Sequence, residues 1–183
     1  MIEGVRFREG AGRLCLDYLR TLRHGTVEEL PDEAAVAAWA EQFGPFGTVA
    51  ARQDAERAGQ ARRLRESIRS LVDSALQGAS CPDPARRAVN AAAAAAPPAP
   101  ALAPDARLHW RAQDPVAAVL SLVARDALDL VSSPLLARVR RCAGTDCGVL
   151  FIDTSRPGVR RWCSMNTCGN RAKKAAIQAR EPR

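Results

Sequence analysis

The chain is predicted to be mainly α-helical with a small β component: a helical N-terminal domain over residues 1–136, then a compact cysteine-rich module over 137–183. Three observations predict this. Apolar residues recur at three- and four-residue spacing through most of residues 11–130, the period of amphipathic helices. Four of the six cysteines, Cys142, Cys147, Cys163 and Cys168, are confined to the last quarter. The charge divides at the same place: from Leu136 onward there are 11 Lys/Arg against 3 Asp/Glu, a balance of +8, leaving −1 for everything before it.

Ala11, Leu14, Cys15, Tyr18, Leu19 and Leu22 form the stripe of a first helix, with Cys15 as core packing. His24, before Gly25, suits the C-terminal end of that helix, where the dipole favours it. Asp32 caps a second helix with Val36, Trp39, Ala40 and Phe43 inward, stopped by Gly44 and Pro45. A longer helix is expected from Val49 to Gln77, closed by Gly78. Asp83-Pro84 opens another that runs into the alanines 91–96. Pro97, Pro98, Pro100 and Pro104, followed by the alternating Arg107-Leu108-His109-Trp110, point to a hairpin or ribbon packed on the helices. Asp114-Pro115 starts a helix with Val116, Val119, Leu120, Val123, Ala127 and Leu130 inward, and Ser133-Pro134 starts a short last one. Aromatics at 4% and abundant alanine imply closely packed helices. With no long linker near residue 137, the C-terminal module is expected to dock on the helical body.

The four cysteines are spaced C-x4-C-x15-C-x4-C. Neither a membrane-length apolar run nor a signal-like apolar stretch in residues 1–10 is present, so a cytoplasmic location is expected, where disulfides are disfavoured and paired cysteines serve metals. Four thiolates close a tetrahedron around one structural Zn²⁺, with no position left for a reacting water. Such a site also supplies the folding free energy that a module this small lacks. Cys142–Cys147 reads as a knuckle, Val149–Ile152 and Val159–Trp162 as a hairpin about the Thr154–Gly158 turn, and Thr167 as the cap of a helix from Cys168 to Arg180. Knuckle, β-hairpin and helix, in that order, make a treble-clef-like zinc finger with four cysteine ligands. The module has no His, and no Glu before Glu181, to carry protons, which argues against an enzyme.

A basic, metal-stapled module suits a polyanion, with DNA the expected partner. The contact candidates are Arg156, Arg160 and Arg161 at the hairpin, and Asn170, Arg171, Lys173 and Lys174 on the helix. Asn and Arg have the donor patterns that read adenine and guanine, but Asn170 and Arg171 can equally bond within the protein and lock the finger to the body. Arg160, Arg161, Lys173 and Lys174 are expected on one exposed face. An RNA-binding module and a protein–protein adaptor are the alternatives. One finger offers little contact area, so useful affinity calls for either a homodimer or a partner that bends the DNA. In the N-terminal part, Asp17 either caps or pairs with an arginine, or lines a ligand pocket with Tyr18, Trp39, His109 and Trp110, for a small molecule whose identity the residues do not specify.

Arg141-Cys142 through Arg171, with Phe151-Ile-Asp-Thr-Ser-Arg156, Arg160-Arg-Trp-Cys-Ser-Met165 and Cys168-Gly-Asn-Arg-Ala-Lys173, resembles the CGNR zinc finger. Gly12-Arg-Leu-Cys-Leu-Asp-Tyr18, Trp39 and Leu108-His-Trp110 resemble the ABATE-type domain that precedes it. The resemblance implies a bacterial, stress-linked transcription regulator whose zinc ligands fall on Cys142, Cys147, Cys163 and Cys168. One departure is Arg20, where the family carries Asn before Thr21.

Overall fold

A computed structural model describes residues 6–51 and 54–178. The described elements run α1 (Leu14–Leu19), β1 (Leu22–Arg23), β2 (Val27–Glu28), α2 (Glu33–Phe43), α3 (Ala55–Leu76), α4 (Asp83–Ala94), β3 (Ala99–Leu102), β4 (Leu108–Arg111), α5 (Pro115–Ser132), β5 (Val139–Arg141), β6 (Leu150–Ile152) and α6 (Asn170–Gln178). The strands form three separate antiparallel pairs, β1–β2, β3–β4 and β5–β6, so the fold is mainly α with small hairpins.

Helix α5 is the axis of the body, packed by α1, α2, α3 and α4. Its apolar stripe explains this: Val116, Val119, Val123, Ala124, Ala127 and Leu130 are buried, and alanines on the stripe let neighbours approach. The Asp114 side chain accepts from the Ala117 N–H, and Pro115 fills the first turn, where no donor is needed. Asp32 caps α2 in the same way through the Ala35 N–H. Trp39 sits at the centre of an aromatic column, edge-on to Tyr18 at 4.8 Å and stacked on Phe43 at 4.6 Å. The Tyr18 hydroxyl donates to the Ala61 carbonyl on α3 at 2.8 Å, satisfying that ring's buried polar tip.

Several expectations shift. The first helix has only six residues, because the chain turns at Arg20–Thr21 and enters β1 at Leu22. Two carboxylates hold this short helix. Asp17 accepts from Ala11 N–H at 2.9 Å, and Asp126 of α5 accepts from Cys15 N–H at 2.8 Å and Arg13 Nε at 2.7 Å. His24 lies in the β1–β2 turn with φ of 56°, not at a helix end. α3 begins at Ala55 behind its cap Asp54, later than the expected Val49. The β3–β4 ribbon forms as predicted, in the register Trp110↔Pro100 and Leu108↔Leu102, but it stands off the helices with Leu102 72% exposed.

A bidentate ion pair ties the first hairpin to α3. Arg65 is 3% exposed and its two terminal nitrogens each meet a Glu28 carboxylate oxygen at 2.7 Å, with Thr21 Oγ1 at 3.2 Å. Burial works to raise the Glu28 carboxyl, but the Arg65 guanidinium and the Leu30 N–H outweigh it and hold the group below its usual range. A carboxylate depressed on folding stabilises the native state above its unfolded pKa, about 4.3, and that stability fades as pH falls through the lower native value. Glu28→Gln is expected to cost about 3 kcal/mol at pH 7 in urea denaturation, the low end for a buried pair because Glu28 is itself 28% exposed. The gap between variant and parent should narrow below about pH 4. An unchanged gap across pH 3–7 would show that the pair is not the origin of the loss.

Candidate metal centre

β5 ends at Arg141 and delivers Cys142 into a knuckle that returns through Cys147 to β6. The pairing register is Val139↔Ile152, Arg140↔Phe151 and Arg141↔Leu150, extended by Cys142 N–H to the Val149 carbonyl at 2.8 Å. The expected hairpin partner for β6 is therefore displaced. Val159–Trp162 forms no strand, and among the described residues its hydrogen bond to the knuckle is from Ala143 N–H to the Arg161 carbonyl at 2.9 Å. The reason is Asp153, which is 1% exposed. Its carboxylate accepts from Ser155 N–H at 2.9 Å, Ser155 Oγ at 2.6 Å and Arg160 N–H at 2.8 Å, curling residues 153–160 into a closed loop. The Ser155 hydroxyl, with the Arg160 and Ser155 amides, outweighs burial and holds that carboxyl below its ordinary range.

The last cysteine enters on a π turn, Met165–Gly169, continuous with α6. Its cap is Ser164, whose side chain accepts from Thr167 N–H, and not Thr167 as expected. The predicted end of this helix at Arg180 lies outside the described residues. Two glycines make room. A Cβ on Gly144 would sit 3.2 Å from Cys147 Cβ and 3.4 Å from Cys168 Sγ, and one on Gly169 would lie 2.9 Å from the Met165 thioether.

This framework gathers Cys142, Cys147, Cys163 and Cys168 with all four sulfurs within 4.8 Å of one another. Cys147–Cys163 and Cys163–Cys168 are 3.6 Å and 3.7 Å apart, far beyond a disulfide's S–S bond of about 2 Å. Sulfurs bound tetrahedrally at about 2.3 Å would be about 3.8 Å from each other, so the donor set fits Zn²⁺. Burial and neighbouring thiols push Cys163 upward and Cys168 up to about 11, whereas at Cys142 burial is outweighed by the Cys163 and Gly144 amides, which lower it. Several thiolates in one place need a divalent cation, which would hold them deprotonated.

Residues 12–134 match the family model described as "Putative stress-induced transcription regulator" (ABATE), and residues 138–181 match the CGNR zinc finger. The chain belongs to the ABATE family. Its finger, with the four-cysteine cluster, supports one structural zinc ion. Comparison with curated proteins gave no match. Among the described residues no helix is long and apolar enough to cross a membrane.

In this ABATE protein the finger shares the apolar core of the helical body. Leu150, Phe151 and Ile152 are buried with α1 residues, Ile152 N–H donates to the Ala11 carbonyl at 2.8 Å, and Gly12, at φ of 90°, lies against Ile152. Arg141 pairs with Asp73 of α3 at 2.8 Å, and His24 bonds the Asp146 carbonyl in the knuckle. Docking was legible in the short connection at residue 137, but these partners carry no local signal.

The expected exposed face loses one member. Arg156, Arg161, Arg171, Lys173 and Lys174 are exposed, as is Asn170, which donates to the Asn166 carbonyl at 3.3 Å. Arg160 is half-buried instead. Its guanidinium lies 4.9 Å over the Phe151 ring and donates to the carbonyls of Trp162, at 2.7 Å, and Cys163. The five residues expected about a ligand pocket do not converge. Tyr18 and Trp39 are sealed in the core, Asp17 holds the Ala11 amide and pairs with Arg20 at 3.3 Å, and His109 and Trp110 lie on the exposed ribbon. Arg20 thus answers Asp17 at the position where the family carries Asn.

Proposed function

We propose that the protein is a zinc-dependent, DNA-binding transcription regulator that acts by binding and not by catalysis. In this reading residues 1–136 form a sensing or dimerising domain and residues 137–183 the DNA-contacting finger, whose zinc is held by Cys142, Cys147, Cys163 and Cys168. The observation that carries it is α6: it follows directly from the last cysteine, none of its described residues is buried, and it presents Arg171, Lys173 and Lys174 to solvent. A rigidly anchored cationic helix suits the phosphate backbone, with Asn170 and Arg171 at its start able to reach base edges. Arg156 and Arg161 extend the cationic surface beside it. Arg160, spent on carbonyls inside the finger, acts as a positioning residue.

The triple substitution Arg171→Glu, Lys173→Glu and Lys174→Glu is expected to lower duplex affinity at least 100-fold at 50 mM salt, measured by fluorescence anisotropy, with zinc content unchanged. Unchanged duplex affinity in that variant would refute the reading. Light scattering with and without duplex tests the homodimer, and competition with structured RNA tests whether the preference is for DNA.

A further inference from the structure

Between the β1–β2 hairpin, α3 and the zinc knuckle lies a cleft of about 640 Å³, within the usual range of small-molecule sites. Four arginines from three stretches of chain line it: Arg8, Arg20, Arg23 and Arg69. Among the described residues, Glu66 and Asp146 bring the carboxylates to its wall. The cations are incompletely answered by the protein. Arg69 is half-buried, and among the described residues its hydrogen bond is one of 3.3 Å to the Leu19 carbonyl, with no ion pair. Burial pulls its pKa below the ordinary guanidinium value, against the pull of Asp73 and Glu66. Arg8 has no hydrogen-bond or ion-pair partner among the described residues. Arg20 spends one terminal nitrogen on Asp17 at 3.3 Å and the Glu9 carbonyl at 2.6 Å and keeps a buried Nε–H without a hydrogen bond, and Arg23 meets Glu29 only through its Nε, at 3.5 Å.

The zinc site offers a rival duty for these cations. A tetrathiolate centre carries about −2, and Cys147 is part of the wall. However, among the described residues no guanidinium donates to any of the four sulfurs, whose bonds run to one another and to backbone amides. The cleft's guanidinium donors are therefore not spent on the zinc ligands, and those of Arg8 and most of those of Arg69 face the cleft without a protein acceptor among the described residues. Leu22 from the hairpin and Val149 from the knuckle line the same cleft, which gives it an apolar side as well as a cationic one.

We propose that this cleft binds a small anion, a phosphate or carboxylate carried on an apolar body, gripped by Arg69, Arg20, Arg23 and Arg8 against the zinc knuckle. Guanidinium forks match both anion types bidentately. The apolar wall favours a small molecule over the backbone of a nucleic acid. Because Thr145–Leu150 form one side, the occupant would brace the knuckle against the helical body. The site is independent of the DNA-binding reading.

The test is isothermal titration of the zinc-loaded full chain with phenyl phosphate and with inorganic phosphate, ionic strength being held with chloride. Phenyl phosphate should bind saturably and at least tenfold tighter than inorganic phosphate. Arg69→Gln should weaken it at least tenfold, Arg8→Gln, an exposed site safe for folding, severalfold, and Arg63→Gln, on the exposed face of α3, not at all. Excess duplex DNA should leave phenyl phosphate in place. Absence of saturable binding, no preference for the aryl ester, equal affinity in both cleft variants, or displacement by duplex would each overturn the proposal. Zinc content of every sample reports the rival duty separately: a cleft variant that loses zinc from a chain that never bound phosphate would assign the arginines to the metal.

Discussion

Chelating the zinc is expected to release the finger and to weaken the helical body with it. Structural zinc contributes on the order of 10 kcal/mol or more to folding modules of this size. Without it, four cysteines drawn within 4.8 Å have no cation to hold them together, and the knuckle, loop and π turn have little apolar burial of their own. Leu150, Phe151 and Ile152 are the exception, because they are buried in the shared core. Hydrogen exchange should therefore show loss of protection across residues 139–178, with a smaller rise in exchange in α1 and α5. Replacing one ligand, as in Cys168→Ser, should bring zinc stoichiometry from one per chain to zero and reproduce the pattern. If Leu150–Ile152 kept full protection after chelation, the metal would not be what organises this end of the chain.

Phe151→Ala should be the change that links loss of core packing most directly to the metal site. The ring is fully buried, and truncation of a buried Phe costs about 3–5 kcal/mol through lost transfer energy and the cavity left behind. It also removes the surface on which the Arg160 guanidinium rests at 4.9 Å, worth about 0.5–2 kcal/mol more. Arg160 in turn holds the carbonyls of Trp162 and Cys163, so the loss should spread to the metal site as faster zinc release to a chromogenic chelator. Urea denaturation measures the first effect. Val159→Ala, at a position 70% exposed, should stay within about 0.5 kcal/mol of the parent. Equal effects at the two positions would deny Phe151 its place in the joint core.

What could be read from the sequence was whatever depends on neighbours along the chain. Asp32 and Asp114 announce helix starts because a cap acts over three residues, and Pro115 reinforces the second. The cysteine spacing announces the cluster because the metal's chemistry restricts which residues can serve it. Features decided by distant partners stayed hidden. β6 pairs with β5 across the knuckle instead of with Val159–Trp162, since the buried Asp153 claims the amides that a longer hairpin would have used. The first helix stops early because Thr21 is claimed from elsewhere, its carbonyl by the Glu29 N–H of the hairpin and its hydroxyl by Arg65 of α3, more than 40 positions away. Arg160 looks like every other arginine in a basic segment until the Phe151 ring and two carbonyls are found around it. Charge composition identifies a cationic end; it does not say which cations face outward.

The bond from Ile152 to Ala11, with Gly12 closing on the same side chain, has a practical consequence for anyone wishing to study the finger alone. A fragment cut at residue 138 would carry three large apolar side chains whose cover is supplied by the other end of the polypeptide. Such a piece should be sticky and poorly soluble even when fully metallated. Adding back residues 6–20 as a separate peptide should restore its solubility, because that stretch supplies the missing lid.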